Sequence, residues 1–248
     1  MKIIINTMLA ALMLLLGISC KKESATLPSS RINGDESSMS NDIISINALS
    51  VKIGTQVWMN KNLSVTKYRN GDPIPQVKNN AQWATLTTGA WCWLNNDPAN
   101  SIYGRLYNWY AVNDPRGLAP AGWHIASDSE WTVLTTFLGG DSIAGGKMKS
   151  GGTFKDGTGL WRAPNTAANN SSGFTGLPGG WRLDDGSFHS SGDSTVGYGI
   201  GLWWTATVNV NSNSTHSSWH RGLVFDAAFV RVHWDGQRDG CSVRCVKD

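Results

Sequence analysis

Within the ten residues Gly122-Trp-His-Ile-Ala-Ser-Asp-Ser-Glu-Trp131, a histidine, His124, precedes two carboxylates, Asp128 and Glu130. An imidazole with carboxylates at this spacing is the material of an acid/base pair or of a metal site. The local pattern favours architecture. Ser127-Asp-Ser-Glu130 fits the S-x-x-E capping box, in which the serine side chain accepts from the amide of Glu130 and Glu130 reaches back to the amide of Ser127. Asp128 then falls in the first helical turn, where the helix dipole favours a negative charge. Trp131, Leu134, Phe137 and Leu138 form one apolar face, and Gly139-Gly140 stops the helix. His124 is expected to be a hydrogen-bonded structural residue.

The other groups capable of chemistry are cysteines and polar-aromatic clusters. Cys92, Cys241 and Cys245 follow the first stretch of chain, and an oxidising compartment favours one disulfide among them with one thiol left over. Cys241 and Cys245 lie in Cys-Ser-Val-Arg-Cys, read as a strand, which separates them by roughly 13 Å. Bonded cysteines need α-carbons within about 7 Å, so the preferred pair is Cys92 with Cys245, and Cys92 with Cys241 comes next. No CxxC or HExxH spacing points to zinc, and no metal or other cofactor is expected. Asp184-Asp-Gly and Asp193 carry oxygens that suit calcium, but no EF-hand spacing surrounds them. Two loops combine aromatic faces with groups that hydrogen-bond hydroxyls: Trp93, Asn95, Asn96 and Asp97 in one, and Trp219, His220 and Arg221 in the other. They are the candidate ligand-binding residues. The competing reading is that the tryptophans fill the core and the Asn and Asp residues build turns.

The elements that must position these groups follow from periodicity. Val51 to Leu63 alternates around Gly-Thr and suits an opening strand or hairpin, and Asn80 to Leu86 suits a short helix capped by Asn79 or Asn80. Tyr103, Leu106, Tyr107, Tyr110 and Ala111 form a helical stripe. After Gly140, short pieces separated by Gly, Asn and Asp leave regular helix hard to place. Arg221 to Phe225, Ala228 to Trp234 and Cys241 to Val246 read as strands, with a turn at Asp235-Gly236. Helices, a loop-rich middle and a final antiparallel sheet make an α+β domain.

The first residues differ in kind. Lys2 and the apolar run from Ile3 to Gly17 read as a signal peptide, and the ending Leu16-Gly-Ile-Ser-Cys20 resembles a bacterial lipoprotein signal. That resemblance implies a leader over residues 1–19, lipidation at Cys20 and anchoring to the outer membrane, with possible display at the cell surface. Residues 20–50 are rich in Ser, Asn and charge and read as a tether, about 30 residues with a reach of roughly 30 Å. The folded domain is expected over 51–248, and all 13 tryptophans lie in it, from Trp58 to Trp234. Loss of Lys2 with the leader leaves 20 basic against 18 acidic residues, a net +2, without the concentrated basic face that nucleic acid requires.

The segments IGTQVWMNKNL, NGDPIP, YGRLYNWYAV, GLAPAGWHIASDSEW, AGGKMKS, NSSGF, LPGGWR and SVRCVKD, in this order, resemble the Fibrobacter succinogenes major paralogous domain, found in secreted proteins and lipoproteins of Bacteroidetes. GWHIASDSEW with the later SVRC is also similar to formylglycine-generating and sulfatase-modifying domains. That similarity implies a C-type-lectin-like fold, two helices against a twisted antiparallel sheet with long loops. The calcium-binding triplet of C-type lectins is absent, since Ala163-Pro-Asn165 lacks the carboxylate. Cys245 corresponds to the terminal-strand cysteine of that pattern and not to the reactive pair of the oxidases, which argues against a copper oxidase. The expectation is a non-catalytic module for a glycan or a surface protein, joined to the membrane by its lipid. The alternative is a structural or adhesive envelope subunit.

Overall fold

The computed structural model describes residues 49–195, 197–210 and 217–248; the expected leader, Cys20 and most of the tether lie outside the described residues. Among the described residues no helix is long and apolar enough to cross a membrane.

The alternating opening segment folds as expected. β1 (Ser50–Ile53) and β2 (Gln56–Met59) pair antiparallel, with Ile53 opposite Gln56, and Gly54 takes φ 61° at the turn. β5 (Trp123–Ile125) and β12 (Cys245–Lys247) complete a four-stranded sheet in the order β1-β2-β12-β5. The larger sheet runs β10 (Arg231–Gly236), β9 (Ser217–Val224), β8 (Ile200–Val208), β11 (Gly240–Val243), β4 (Leu106–Asn108), β3 (Trp91–Cys92). The short β6 (Trp181–Arg182) joins β11 and pairs with β7 (Phe188–His189). With four short helices, the architecture is α+β.

Asn79 caps α1 (Asn80–Ala84) by accepting from Gln82 N–H. The helix read over Tyr103 to Val112 is instead β4 followed by the single turn α2 (Trp109–Val112). The reason is burial all round: Leu106, Tyr107, Asn108 and Trp109 are all buried, so the helical stripe was one half of a fully covered segment. Asn108 starts the turn, its side chain accepting from Ala111 N–H.

The capping box holds. α3 (Asp128–Phe137) begins with Ser127 Oγ accepting from Glu130 N–H at 3.3 Å and Glu130 Oε2 accepting from Ser127 N–H at 2.8 Å. Trp131, Leu134 and Leu138 are buried, whereas Phe137, expected on the same face, is 63% exposed. Gly139 and Gly140, at φ 102° and 96°, stop α3, and α4 (Asp141–Met148) follows where no helix was expected. Its Gly145 and Gly146 mask it in the sequence. A Cβ at Gly145 would lie 2.5 Å from Phe229 O, and one at Gly146 would lie 2.8 Å from Ala167 O, so close backbone approach outweighs helix propensity.

Two further expectations are corrected. β11 lies between β8 and β4 and runs parallel to β8, so the last sheet is not purely antiparallel and Asp235-Gly236 ends β10 without making a β10-β11 hairpin. Cys92, Cys241 and Cys245 are all buried free thiols. The preferred Cys92 to Cys245 pair is not formed, because β3 and β12 belong to different sheets and the two thiols pack in different apolar clusters. Burial pushes Cys92 and Cys245 up to about 12 and Cys241 well above its ordinary value.

Nine of the 13 tryptophans are buried, among them Trp58 and Trp131 in edge-to-face contact at 5.2 Å. Only Trp93, Trp181, Trp219 and Trp234 reach the surface.

Candidate functional site

The histidine-carboxylate stretch is fully engaged in the fold. His124 Nε2 lies 2.7 Å from Glu130 Oε1 and its Nδ1 lies 2.7 Å from Asp248 Oδ1. Partial burial opposes its charge, but the hydrogen bonds to these two carboxylates outweigh burial and raise its pKa. Burial likewise opposes ionisation of Glu130. The Ser127 backbone amide, His124 and the Ser127 hydroxyl more than offset it and hold the carboxyl low. Asp128 accepts from Arg221 Nε at 2.8 Å, so β9 is clamped to the start of α3.

The first polar-aromatic loop builds turns. Asn95 and Asn96 both adopt φ 55°, a region that asparagine tolerates. Asn95 Nδ2 donates to Tyr198 Oη and Asn96 Nδ2 to Lys78 O. Asp97 caps the 3₁₀ turn Pro98–Tyr103 through Ala99 N–H. Trp93 stands edge-on to Trp91 at 5.3 Å, and the Arg105 guanidinium covers both rings at 4.3 Å. This loop follows β3, four strand positions from β9 or roughly 19 Å, so the two groups of candidate residues do not form one site.

Strand geometry separates the second group as well. Adjacent residues on β9 point to opposite faces. Arg221, only 3% exposed, turns to Asp128 and Thr132 on α3, with Trp219 on its side of the strand. His220 turns the other way, into a cleft of 580 Å³. That volume falls in the range of small-ligand sites.

Register explains how the cleft is assembled. His233 pairs with His220, Arg231 with Gly222, and Gly222 in turn with Leu202, so one face of three strands carries Ile200 and Leu202 as floor and Arg231, His233 and Asp235 as rim. Trp181 of β6 supplies the facing wall, its ring on His189 at 4.3 Å and 38°. A second cleft of 440 Å³ continues the first, sharing Ile200, Phe229 and Arg231 with it.

The electrostatics centre on His220. Its ring is buried, 6.0 Å from the Trp204 ring and 5.7 Å from the His233 ring, both near perpendicular. Nε2 lies 2.8 Å from Asp235 Oδ2 but out of line for a hydrogen bond, and neither ring nitrogen has a hydrogen-bond partner. Trp181 Nε1 is also buried without a partner. Below the rim, Asp239 is buried, and desolvation together with the charges of Asp235 and Asp184 pushes its carboxyl up to about 8.

Trp181, Arg231, His233 and Asp235 were not singled out in the sequence. The alternation of Arg231, His233 and Asp235 in one strand was the available signal, and only the pairing with His220 turns it into a site. Among the described residues, no group of three or more His, Cys, Asp or Glu side chains is placed to hold a metal ion. The two oxygen-rich turns considered for calcium are engaged locally, with Asp185 accepting from Ser187 and Asp193 from Thr195.

Fold and cleft together define an α+β domain with a ligand-sized cleft beside the edge strand of its larger sheet. The chain belongs to the family of the Fibrobacter succinogenes major domain, whose family model matches residues 51–247. No match was found among curated proteins or among solved structures.

Proposed function

We propose that the protein is a non-catalytic binding module of the cell envelope, lipid-anchored at Cys20 to the outer membrane, that receives a glycan in the cleft bounded by β9, β10 and Trp181. The reading includes a C-type-lectin-like arrangement, with helices against a sheet and long loops between them. The observation that carries it is the ligand-sized cleft itself, which presents the Trp181, Phe229 and His233 rings beside the polar groups of Arg231 and Asp235. Arg231 donates to, and Asp235 accepts from, hydroxyl groups of a ligand placed in the cleft. Sugars offer such hydroxyls together with an apolar ring face that stacks on indole.

The test is a glycan-array screen of the full-length protein in detergent, with and without a chelator. Selective binding by the wild type that is lost in His220→Phe supports the reading. Loss of wild-type binding with chelator would bring calcium back into the site. A blank array from folded protein moves the ligand to a surface protein and the role to adhesion or assembly.

A further inference from the structure

Arg231 is the feature of the cleft that a neutral ligand does not explain. It stands on the rim, exposed, at the junction of the two clefts. Several other arginines of the domain are matched, Arg116 to Asp114 and Asp72, Arg221 to Asp128, and Arg162 to Ser191 O with its guanidinium over Phe225, whereas the exposed Arg238 lines neither cleft. Arg231 has no ion pair, hydrogen bond or ring contact among the described residues. Its cross-strand partner is Gly222, so no side chain lies against the base of the arginine. A Cβ at Gly222 would come within 2.7 Å of Leu202 Cδ2, which keeps that position open.

The carboxylates nearby do not neutralise it. Asp235 is four residues along β10, roughly 13 Å away, and faces His220. Asp226 lies in the second cleft, where its charge acts on the buried Lys149 ammonium. His220 sits opposite His233, so it is about 7 Å along the strand from Arg231, a distance that one or two sugar rings span. Phe229, 43% exposed and two residues before Arg231 on the side away from His233, offers an aromatic face common to both clefts.

From this placement, and resting on the glycan reading above, we infer that the ligand is an anionic glycan whose carboxylate or sulfate group docks on Arg231 while its sugar ring lies on the adjoining Phe229. A guanidinium presents paired donors that match a planar carboxylate or two sulfate oxygens, and such charge-assisted pairs are the stronger hydrogen bonds.

The experiment uses full-length protein in detergent and an array of matched polysaccharides: each uronic-acid polymer beside its carboxyl-reduced form, each sulfated polymer beside its desulfated form. The expected result is at least tenfold stronger binding to the anionic member of one class of pair, weakened by added salt. Arg231→Gln should abolish that preference without changing the melting temperature, and Arg231→Lys should restore part of it. The class of pair that responds tells carboxylate from sulfate. Equal binding to both members of every pair overturns the anionic inference and leaves the glycan reading standing. Anionic preference that survives Arg231→Gln overturns the assignment to this cleft. No binding to any polymer by folded protein overturns both readings together.

Discussion

Arg244, at the crossing from β11 to β12, and His220, on β9, are both buried, and their surroundings treat them in opposite ways. Arg244 donates to Met59 O at 2.8 Å, to Phe174 O at 2.5 Å and to Asn62 Oδ1 at 2.7 Å, with its guanidinium 4.1 Å from the Phe174 ring centre. Burial lowers its pKa to about 9, so the cation persists at neutral pH because carbonyl oxygens replace its water. His220 is buried to a similar degree and lines a cleft, with Nε2 2.8 Å from the Asp235 carboxylate and neither nitrogen hydrogen-bonded. The difference separates architecture from binding surface: a polar group with every partner in place holds strands together, whereas one without partners marks where a ligand completes the set.

The largest effect expected from this contrast is at the satisfied pole. Arg244→Met removes the donor to the Met59 and Phe174 carbonyls and one of the two donors to Asn62 Oδ1, which keeps Trp203, and should lower stability by about 4 kcal/mol, read by urea unfolding followed through tryptophan fluorescence. A loss under about 1 kcal/mol would show that these bonds are not what holds the two sheets together.

A smaller change is expected at Asp239 beneath the cleft. Its carboxyl is raised to about 8, so its neutral form is the one the fold accepts, and the stability it allows is fully present below the ordinary value near 4 and lost as pH rises through about 8. Asp239→Asn should therefore be almost neutral near pH 4 and stabilise by roughly 2 kcal/mol near pH 9, measured by the same unfolding curves. A constant difference across that range would contradict the buried-acid account.

At the unsatisfied pole the sign reverses. His220→Phe removes two unmatched nitrogens while keeping a ring against Trp204, and it should leave stability unchanged or raise it by about 1 kcal/mol while ligand binding disappears. Destabilisation as large as that of Arg244→Met would place His220 among the structural groups and erase the contrast.

The smallest effect belongs to His124, which is partly exposed. Its raised pKa gives stability that is present below the unfolded value near 6.5 and lost as pH rises through the folded value; Glu130, held low, needs pH above about 4.5 to contribute. His124→Gln should lower stability by ~0.5 kcal/mol near pH 5.5, after discounting for solvent screening, and by less near pH 9. Thermal melts at the two pH values check this.

Local chemistry was legible in the sequence and pairing between distant strands was not. The hairpin at Gly54, the cap at Asn79 and the capping box at Ser127 follow from neighbouring residues alone, and each is where it was expected. α4 was missed because Gly145 and Gly146 serve contacts with Phe229 and Ala167, which are far along the chain. The loop from Trp93 to Asp97 had the composition of a binding surface, yet its asparagines and aspartate are engaged in turns. The cleft stayed hidden because its members come from β6, β8, β9 and β10 and meet only through strand register. His220 was named, but alternation on β9 sends its neighbours Trp219 and Arg221 to the other face.

Residues 240–247 bear on how the domain is made. β11 inserts between β8 and β4 in the middle of the larger sheet, and after Arg244 the chain crosses to place β12 between β2 and β5 in the smaller one. Neither sheet can close before residues 240–247 are available, and every other strand of the domain is synthesised ahead of them. The nascent domain therefore holds two incomplete sheets until this segment emerges, and a stop codon ahead of it disables the whole domain rather than trimming its edge.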